Sequence, residues 1–315
     1  MTAVPVDGRD HERGAALIIV LGLVALIGTW ASTAAYEDMI SIRRAENMQD
    51  AMRAIQGSKS ALALSTMVLR QDAVASVTDD PGEDWAQPTP PFPIDQGSVS
   101  GQIIDTNRYL NLNDLVNDQG QVQMAVFKRL QLLFSRLGLD TGLVEVLADW
   151  EDADDKSIGP AGAEDASYYD KPYRVKNGRL DRWNELTMLK GFNADIISRL
   201  ATVAIVRPVP QGGVTQVNIN TADIKVLQAM FPTMNAADAE TLIAGRPYSD
   251  VGIAIANQPW ATGVNPADLS VSSDVFMVRT EARFGRAVLR EEYMLLRQAK
   301  KITLLSRQRR DWSGQ

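Results

Sequence analysis

Residues 13–21 read RGAALIIVL, and at Gly14 a short charged leader, MTAVPVDGRDHERG, gives way to an apolar run without transition. Residues 15–35 carry no charge and are mostly aliphatic. As a helix rising about 1.5 Å per residue, they reach roughly 30 Å, the thickness of a hydrocarbon core. Arg9, Arg13 and the terminal amine precede the run and favour N-in, C-out insertion, although Arg43 and Arg44 follow soon after Glu37. Three kinds of segment begin this way. One is an uncleaved signal anchor, and another is a secretory signal peptide cut among the small residues ASTAA at 31–35. The third is a leader removed at Gly14.

The residues beyond the apolar run separate these three. The stretch YEDMISIRRAENMQDAMRAIQGSKSALALSTMVLRQDAVASV keeps a helical pattern, with Met39, Ile40, Ile42, Met48, Met52, Ile55, Leu62, Leu64, Met67 and Leu69 at mostly three- and four-residue steps. No proline lies between Val6 and Pro81. The pattern predicts one helix over about residues 15–76, roughly 90 Å long. Its first third is apolar all round and its remainder amphipathic. A lone anchor has no use for such an extension.

Beyond the helix, DDPGEDWAQPTPPFPIDQG at 79–97 reads as a proline-rich linker or extended loop. SVSGQIIDTN at 98–107 alternates as a strand. At the other end of the chain, strands are predicted at 274–284 and 286–297, turning at Gly285 and Arg286, with a third at 300–308. Residues 107–269 are mainly helical in pattern. The expected fold is α+β, with a long N-terminal helix and a small antiparallel sheet interrupted by a large, mainly α-helical insert. The expected divisions are 1–14 leader, 15–35 transmembrane part of the helix and 36–78 its periplasmic part. After these come 79–106 linker and first strand, 107–269 inserted α-domain, and 270–315 terminal strands.

Composition removes several function classes. The net charge of -7 argues against bulk nucleic-acid binding, which needs a basic footprint. Without cysteine there is no disulfide, thiolate metal site or cysteine nucleophile. The only histidine is His11 in the leader, so a histidine-dependent triad or zinc site has nothing to build on. Nucleotide-binding, GxSxG and HExxH signatures are missing. No catalytic residue is assigned.

A charged leader ending in Gly, an apolar start and a long half-buried helix together resemble a type IV prepilin-like protein. That resemblance implies cleavage by prepilin peptidase between Gly14 and Ala15, followed by methylation. It also brings a departure, since pilins usually carry Glu at mature position five, where this chain has Ile19. In pilins that buried carboxylate finds a cation in a neighbouring subunit's terminal amine. Its absence is a feature of one minor pseudopilin, the K component of type II secretion. The stretches RYLNLNDLV at 108–116, LADWEDADD at 147–155, GAEDASYY at 162–169, KPY at 171–173, NEL at 184–186 and VNINTADIKVL at 217–227 resemble that family's landmarks in order.

The resemblance implies a non-enzymatic subunit in the inner membrane. Its N-terminus is cytoplasmic and its bulk periplasmic. The resemblance further implies that it caps the tip of the pseudopilus, initiates assembly with the minor pseudopilins I and J beside other pseudopilins, and supports protein export. Secreted cargo is a further expected partner, and the helix face near Met48, Met52 and Ile55 is the expected contact with I and J. The competing readings are a signal-anchored periplasmic binding protein stabilised by calcium, a minor pilin of a related type IV pilus, and a secreted carboxylate hydrolase. The last would require cleavage near Ala35.

Eight carboxylates lie between Asp149 and Asp170, with Lys156 the only base among them. Such a loop repels itself unless it is solvated or neutralised. Hard oxygens on irregular backbone suit Ca²⁺, and Gly159 and Gly162 let carbonyls approach an ion. The spacing is no EF-hand, because Lys156 falls at position five and no Gly at six. The residues alone leave open a solvated loop, a cation site and a pair of catalytic acids. The family resemblance implies structural Ca²⁺ here, with Asp149, Asp152, Asp154, Glu164 and Asp165 as the ligand pool.

VNINTADIKVLQAMFPTMNAADAETLIAGR at 217–246 looks like a helix-hairpin-helix unit. Its hairpin lacks glycines and Lys225 and Arg246 are its only bases, so it is expected to be a packing unit, with Asn220 or Thr221 capping the helix, and no nucleic-acid site. The basic residues Lys300, Lys301, Arg307, Arg309 and Arg310 are expected to guard a strand edge.

Overall fold

The computed structural model describes residues 9–309, with side chains from residue 14 onward. The chain opens with helix α1 (Arg9–Ala75), followed by strands β1 (Thr89–Ile94) and β2 (Gly97–Asp105). An insert then runs through β3 (Leu110–Asn111), α2 (Met124–Arg136), α3 (Leu143–Glu151), α4 (Ala194–Leu200), β4 (Ala204–Ile205), β5 (Val217–Asn218), α5 (Ile224–Met230), α6 (Ala236–Ala244), α7 (Val251–Ile255) and β6 (Leu269–Ser270). The chain returns through β7 (Val275–Phe284), β8 (Ala287–Gln298) and β9 (Lys301–Arg309).

Helix α1 is continuous, as the absence of proline requires, and already formed at Arg9, earlier than the apolar run by itself predicts. Its apolar first part is exposed all round, and from Gly14 the helix is long and apolar enough to cross a membrane. Farther on, one face sinks onto the sheet through Ala54, Ser58, Ser65 and Leu69. A Cβ at Gly57 would come within 2.7 Å of Val99 Cγ2, so only glycine lets the helix approach β2 this closely. Met48 and Met52 point elsewhere, 70% and 52% exposed. Of the expected contact stripe, Met48 and Met52 thus lie away from the face that packs on the protein's own sheet, whereas Ile55, beside buried Ala54, is half-buried.

The sheet has order β1-β2-β7-β8-β9 and is antiparallel throughout. β7 and β8 form a tight hairpin at Gly285, whose φ of +49° favours glycine. The insert leaves and re-enters at one end of the β2–β7 pair, where Asp105 opposes Phe276 and Thr106 donates from both N–H and hydroxyl to the Val275 carbonyl. Two apolar clusters fill the space between α1 and the sheet, one around Leu69, Phe276 and Tyr293, the other around Ala54, Val99 and Phe284. A separate, larger cluster fills the insert around Leu130, Phe134, Leu147, Trp150 and Phe231. The insert thus has its own core, which explains how it can interrupt a sheet without disturbing it.

Two local expectations are corrected. Residues 79–97 do not form a plain linker, because they contain a 3₁₀ turn at Asp84–Ala86, which buries Trp85, and the edge strand β1. Proline is tolerated there because only one side of an edge strand is paired. The helix after VNINTA is capped by Asp223, which accepts from Lys225 N–H, and not by Asn220 or Thr221. Those two side chains serve tertiary contacts instead.

Candidate functional site

An acidic loop hangs from the C-terminus of α3. Leu143, Val144, Val146, Leu147 and Trp150 bury that helix, and Trp150 packs edge-on against Tyr168 at 5.7 Å and Tyr173 at 6.3 Å. This packing fixes the point where Asp152 leaves the helix. The loop then folds back through Asp149, which is fully buried. Its carboxylate accepts from Ile158 N–H (2.9 Å), Ser157 hydroxyl (3.0 Å) and Ala163 N–H (2.6 Å). A Cβ at Gly162 would lie 2.2 Å from the Asp149 carboxylate, so the glycine is required by this fold-back. Glu145 ties the same loop by accepting from Ala161 N–H at 2.7 Å.

The fold-back brings carboxylate oxygens of Asp152, Asp154 and Glu164 within 4.8 Å of one another. Asp152 Oδ1 and Glu164 Oε1 are buried and have no hydrogen-bond partner. Burial pushes the pKa of each up to about 7, and the charges of neighbouring carboxylates push the same way. The α3 C-terminus adds its negative dipole end to this field. A hard divalent cation answers each feature, because it supplies charge and accepts oxygen ligands without strict geometry.

The other two members of the expected ligand pool stand apart from this cluster. Asp149 spends both oxygens organising the loop. Asp165 is exposed, accepts from Val175 N–H at 3.0 Å and lies 3.9 Å from Arg174. Nearby, Glu151 is fully buried, and neither carboxylate oxygen has a hydrogen-bond partner; burial holds its pKa well above the ordinary carboxylate value. Gly14 and Ala15 lie exposed within α1.

A second carboxylate cluster escaped sequence reading. Asp72 at the end of α1, Asp79 and Glu83 also bring their oxygens within 4.8 Å. Here the chain supplies its own cation. Arg297 of β8 bonds Asp72 at 2.6 Å and pairs with Asp79, donates to the Ser273 carbonyl at 2.9 Å and lies over the Phe276 ring at 4.6 Å. No local pattern links residues 72–83 to residue 297, so only sheet topology could show it. A third polar cluster sits beneath α1. Ser58 hydroxyl meets Thr280 (2.7 Å), Glu291 (2.6 Å) and Tyr293 (2.9 Å), while the other Glu291 oxygen accepts from Arg307 at 2.6 and 2.9 Å.

The asparagines of the two NxN stretches are buried staples. Asn111 and Asn113 both bond the Arg207 carbonyl, and Asn113 also exchanges bonds with Leu180. Asn218 reaches the Asp79 carbonyl and Ser273, tying the insert to the sheet unit. Asn220 clasps Tyr248 through N–H and carbonyl, and Thr221 donates to Asp105. In the helix-hairpin-helix stretch, Arg246 turns inward onto the Ala222 carbonyl at 2.7 Å, leaving it committed to packing.

A helix that is apolar at its start and packed on a small antiparallel sheet at its end is the architecture of a type IV pilin-like subunit, here enlarged by the insert. The comparisons narrow this class. Two models of the family described as type II secretion system (T2SS), protein K, match residues 108–209 and 217–272. The type II secretion system protein K of Pseudomonas aeruginosa is 32% identical over 251 residues, covering 76% of this chain and 73% of the relative. That of Pectobacterium carotovorum is 29% identical over 324 residues, covering 95% and 97%. A chain in the crystal structure of the GspK-GspI-GspJ complex from enterotoxigenic Escherichia coli superposes with a TM-score of 0.72 at 24% identity, covering 85% of this chain and 99% of that one. The chain belongs to the type II secretion system protein K family, and its role is that of a minor pseudopilin.

Proposed function

We propose that the chain caps the tip of a type II secretion pseudopilus, initiates its assembly and so supports protein export across the outer membrane. The shape of α1 carries this reading. Among the described side chains its first half is exposed and suits lateral packing among other membrane helices, while its second half is fixed under a sheet bearing the bulky insert. A subunit with such an insert obstructs addition of another above it, and Ile19 offers no carboxylate to a neighbour's terminal amine. Prepilin peptidase cuts after Gly14, leaving Ala15 as the N-terminus, with the leader cytoplasmic and the bulk periplasmic. The relative solved as a GspK-GspI-GspJ complex supports minor pseudopilins I and J as partners. Met48 and Met52 are available to them on the exposed side of α1. The work is assembly without catalysis.

The acidic loop takes structural Ca²⁺, held by Asp152, Asp154 and Glu164. Bound there, the ion would supply positive charge to three carboxylates that no lysine or arginine pairs with among the described residues. Asp149 and Gly162 shape the loop, and the unpartnered oxygens of Asp152 and Glu164 are what a hard cation would satisfy.

Intact mass of the membrane-extracted protein, with and without co-expressed prepilin peptidase, tests the reading. Loss of residues 1–14 only when the peptidase is present supports it. An unprocessed chain points instead to a signal-anchored protein and overturns it, as does cleavage near Ala35.

A further inference from the structure

The two edges of the five-stranded sheet are built differently. β1 carries Pro90, Pro91 and Pro93, which have no N–H to offer, and its register shifts between Thr89 and Phe92. That edge is closed to further pairing. β9 has no proline, and among the described residues no strand pairs with its outer side. We propose that the β9 edge accepts an extended acidic segment of another polypeptide as an added strand.

Charge and register specify the occupant. Opposite the buried residues Glu291, Tyr293 and Leu295 of β8 stand Arg309, Arg307 and Leu304 of β9, so these three share the α1 side of the sheet. A single carboxylate, Glu291, serves both guanidiniums. Arg307 bonds it at 2.6 Å, and Arg309 reaches only 4.0 Å and stays 68% exposed. The edge therefore retains uncompensated positive charge beside Leu304, itself 49% exposed. A register shift between Met294 and Leu295 interrupts the half of β9 nearer Lys301, whereas Ser306–Arg309 pair continuously with Glu291–Met294. Strand addition is favoured on this regular half. The added segment places two acidic side chains, two residues apart, against Arg307 and Arg309. Its alternate side chains face the insert, near Ser306 and Gln308, where a cleft of about 100 Å³ opens between sheet and insert. The proposal goes beyond the pseudopilus reading and does not depend on it.

The test uses the full chain in detergent micelles and a fluorescent synthetic peptide as long as β9, alternating valine and threonine, with two glutamates two residues apart. The sequence is tried in both directions, and anisotropy reports binding. Saturable binding is expected, weakened at least about tenfold by N-methylation of alternate peptide amides. A loss of about tenfold is expected on replacing the glutamates by glutamine, or in Arg309→Glu, whose exposed side chain leaves folding intact. Equal affinity for the N-methylated peptide would reduce the contact to charge and overturn strand addition. So would failure of both directions to saturate by about 1 mM. Self-association of the chain that Arg309→Glu abolishes, with no effect of peptide, would give the edge to a second copy and equally overturn it.

Discussion

Among the described residues two clusters of three carboxylates each gather their oxygens within 4.8 Å, and they are differently neutralised. At the junction of α1 and the sheet, Asp72, Asp79 and Glu83 surround a guanidinium that β8 delivers. In the insert, Asp152, Asp154 and Glu164 meet with no basic side chain among them, and two of their oxygens are left buried and bare. Burial lifts Asp79 to about 7 even beside Arg297, so desolvation acts in both places. The difference is that Arg297 is part of the fold, whereas among the described residues no cationic side chain pairs with the loop's three carboxylates. A junction between helix, sheet and insert is thereby independent of its surroundings, and a loop is made conditional on them.

The largest effect should come from removing the internal cation. Arg297→Leu removes the only cation paired with Asp72 and Asp79 among the described residues, leaving Asp79 the Ser273 N–H alone, and is expected to cost about 3–5 kcal/mol in urea unfolding. A loss below about 1 kcal/mol would mean the pair contributes no more than a surface bridge and would dissolve the contrast. Next in size is withdrawal of calcium. At free Ca²⁺ about 100-fold above its Kd, stabilisation should be about 2.7 kcal/mol, reversed by chelator and absent in Asp152→Asn/Glu164→Gln. Survival of the calcium shift in that double variant would move the ion elsewhere.

The pH dependence sharpens the same point. Asp152 and Glu164 have folded values of about 7 against ordinary values of 3.8 and 4.5. The ion-free fold therefore holds more protons than the unfolded chain over that interval, and its stability should fall as pH rises from about 4 to about 7. Calcium competes with those protons, so its stabilisation should grow over the same interval; thermal melts at pH 5 and 7.5, with and without the ion, measure it. A smaller effect is expected at Ser58→Ala, about 1 kcal/mol, because the lost hydroxyl bridges Glu291, Tyr293 and Thr280 beneath α1. The smallest belongs to Asp165→Asn, which should leave the calcium shift unchanged within about 0.5 kcal/mol. A larger change would return Asp165 to the ligand set.

Patterns a few residues long were legible in the chain. The apolar run at 15–35, the unbroken helix behind it, the β7–β8 turn at Gly285 and the strands on either side of the insert all declare themselves through local periodicity or turn chemistry. The acidic loop was legible as a charge excess, but its members could not be ranked. Asp149 and Asp152 are three residues apart and chemically alike. One is consumed by Ile158, Ser157 and Ala163, and the other keeps an oxygen bare, a distinction made by how the loop folds back over α3. In the same way β1 was hidden by its prolines, which suggest a linker until the pairing with β2 shows that only one side needs donors.

The sequence by itself determined the kind of molecule: a membrane-length helix prolonged into an amphipathic one, a sheet divided by a helical insert, and an acid-rich loop with a single lysine. Tertiary structure decided which charges meet. It carried Arg297 to Asp72 and Asp79, Arg307 to Glu291, and Met48 and Met52 to the side of α1 facing away from the sheet. Local propensity and hydrophobic period act over neighbouring residues and can be read along the chain. Pairing across strands, as between Arg307 and Glu291, or between residues more than two hundred positions apart, as Arg297 and Asp72, depends on strand order and register, and these exist only after the chain has folded.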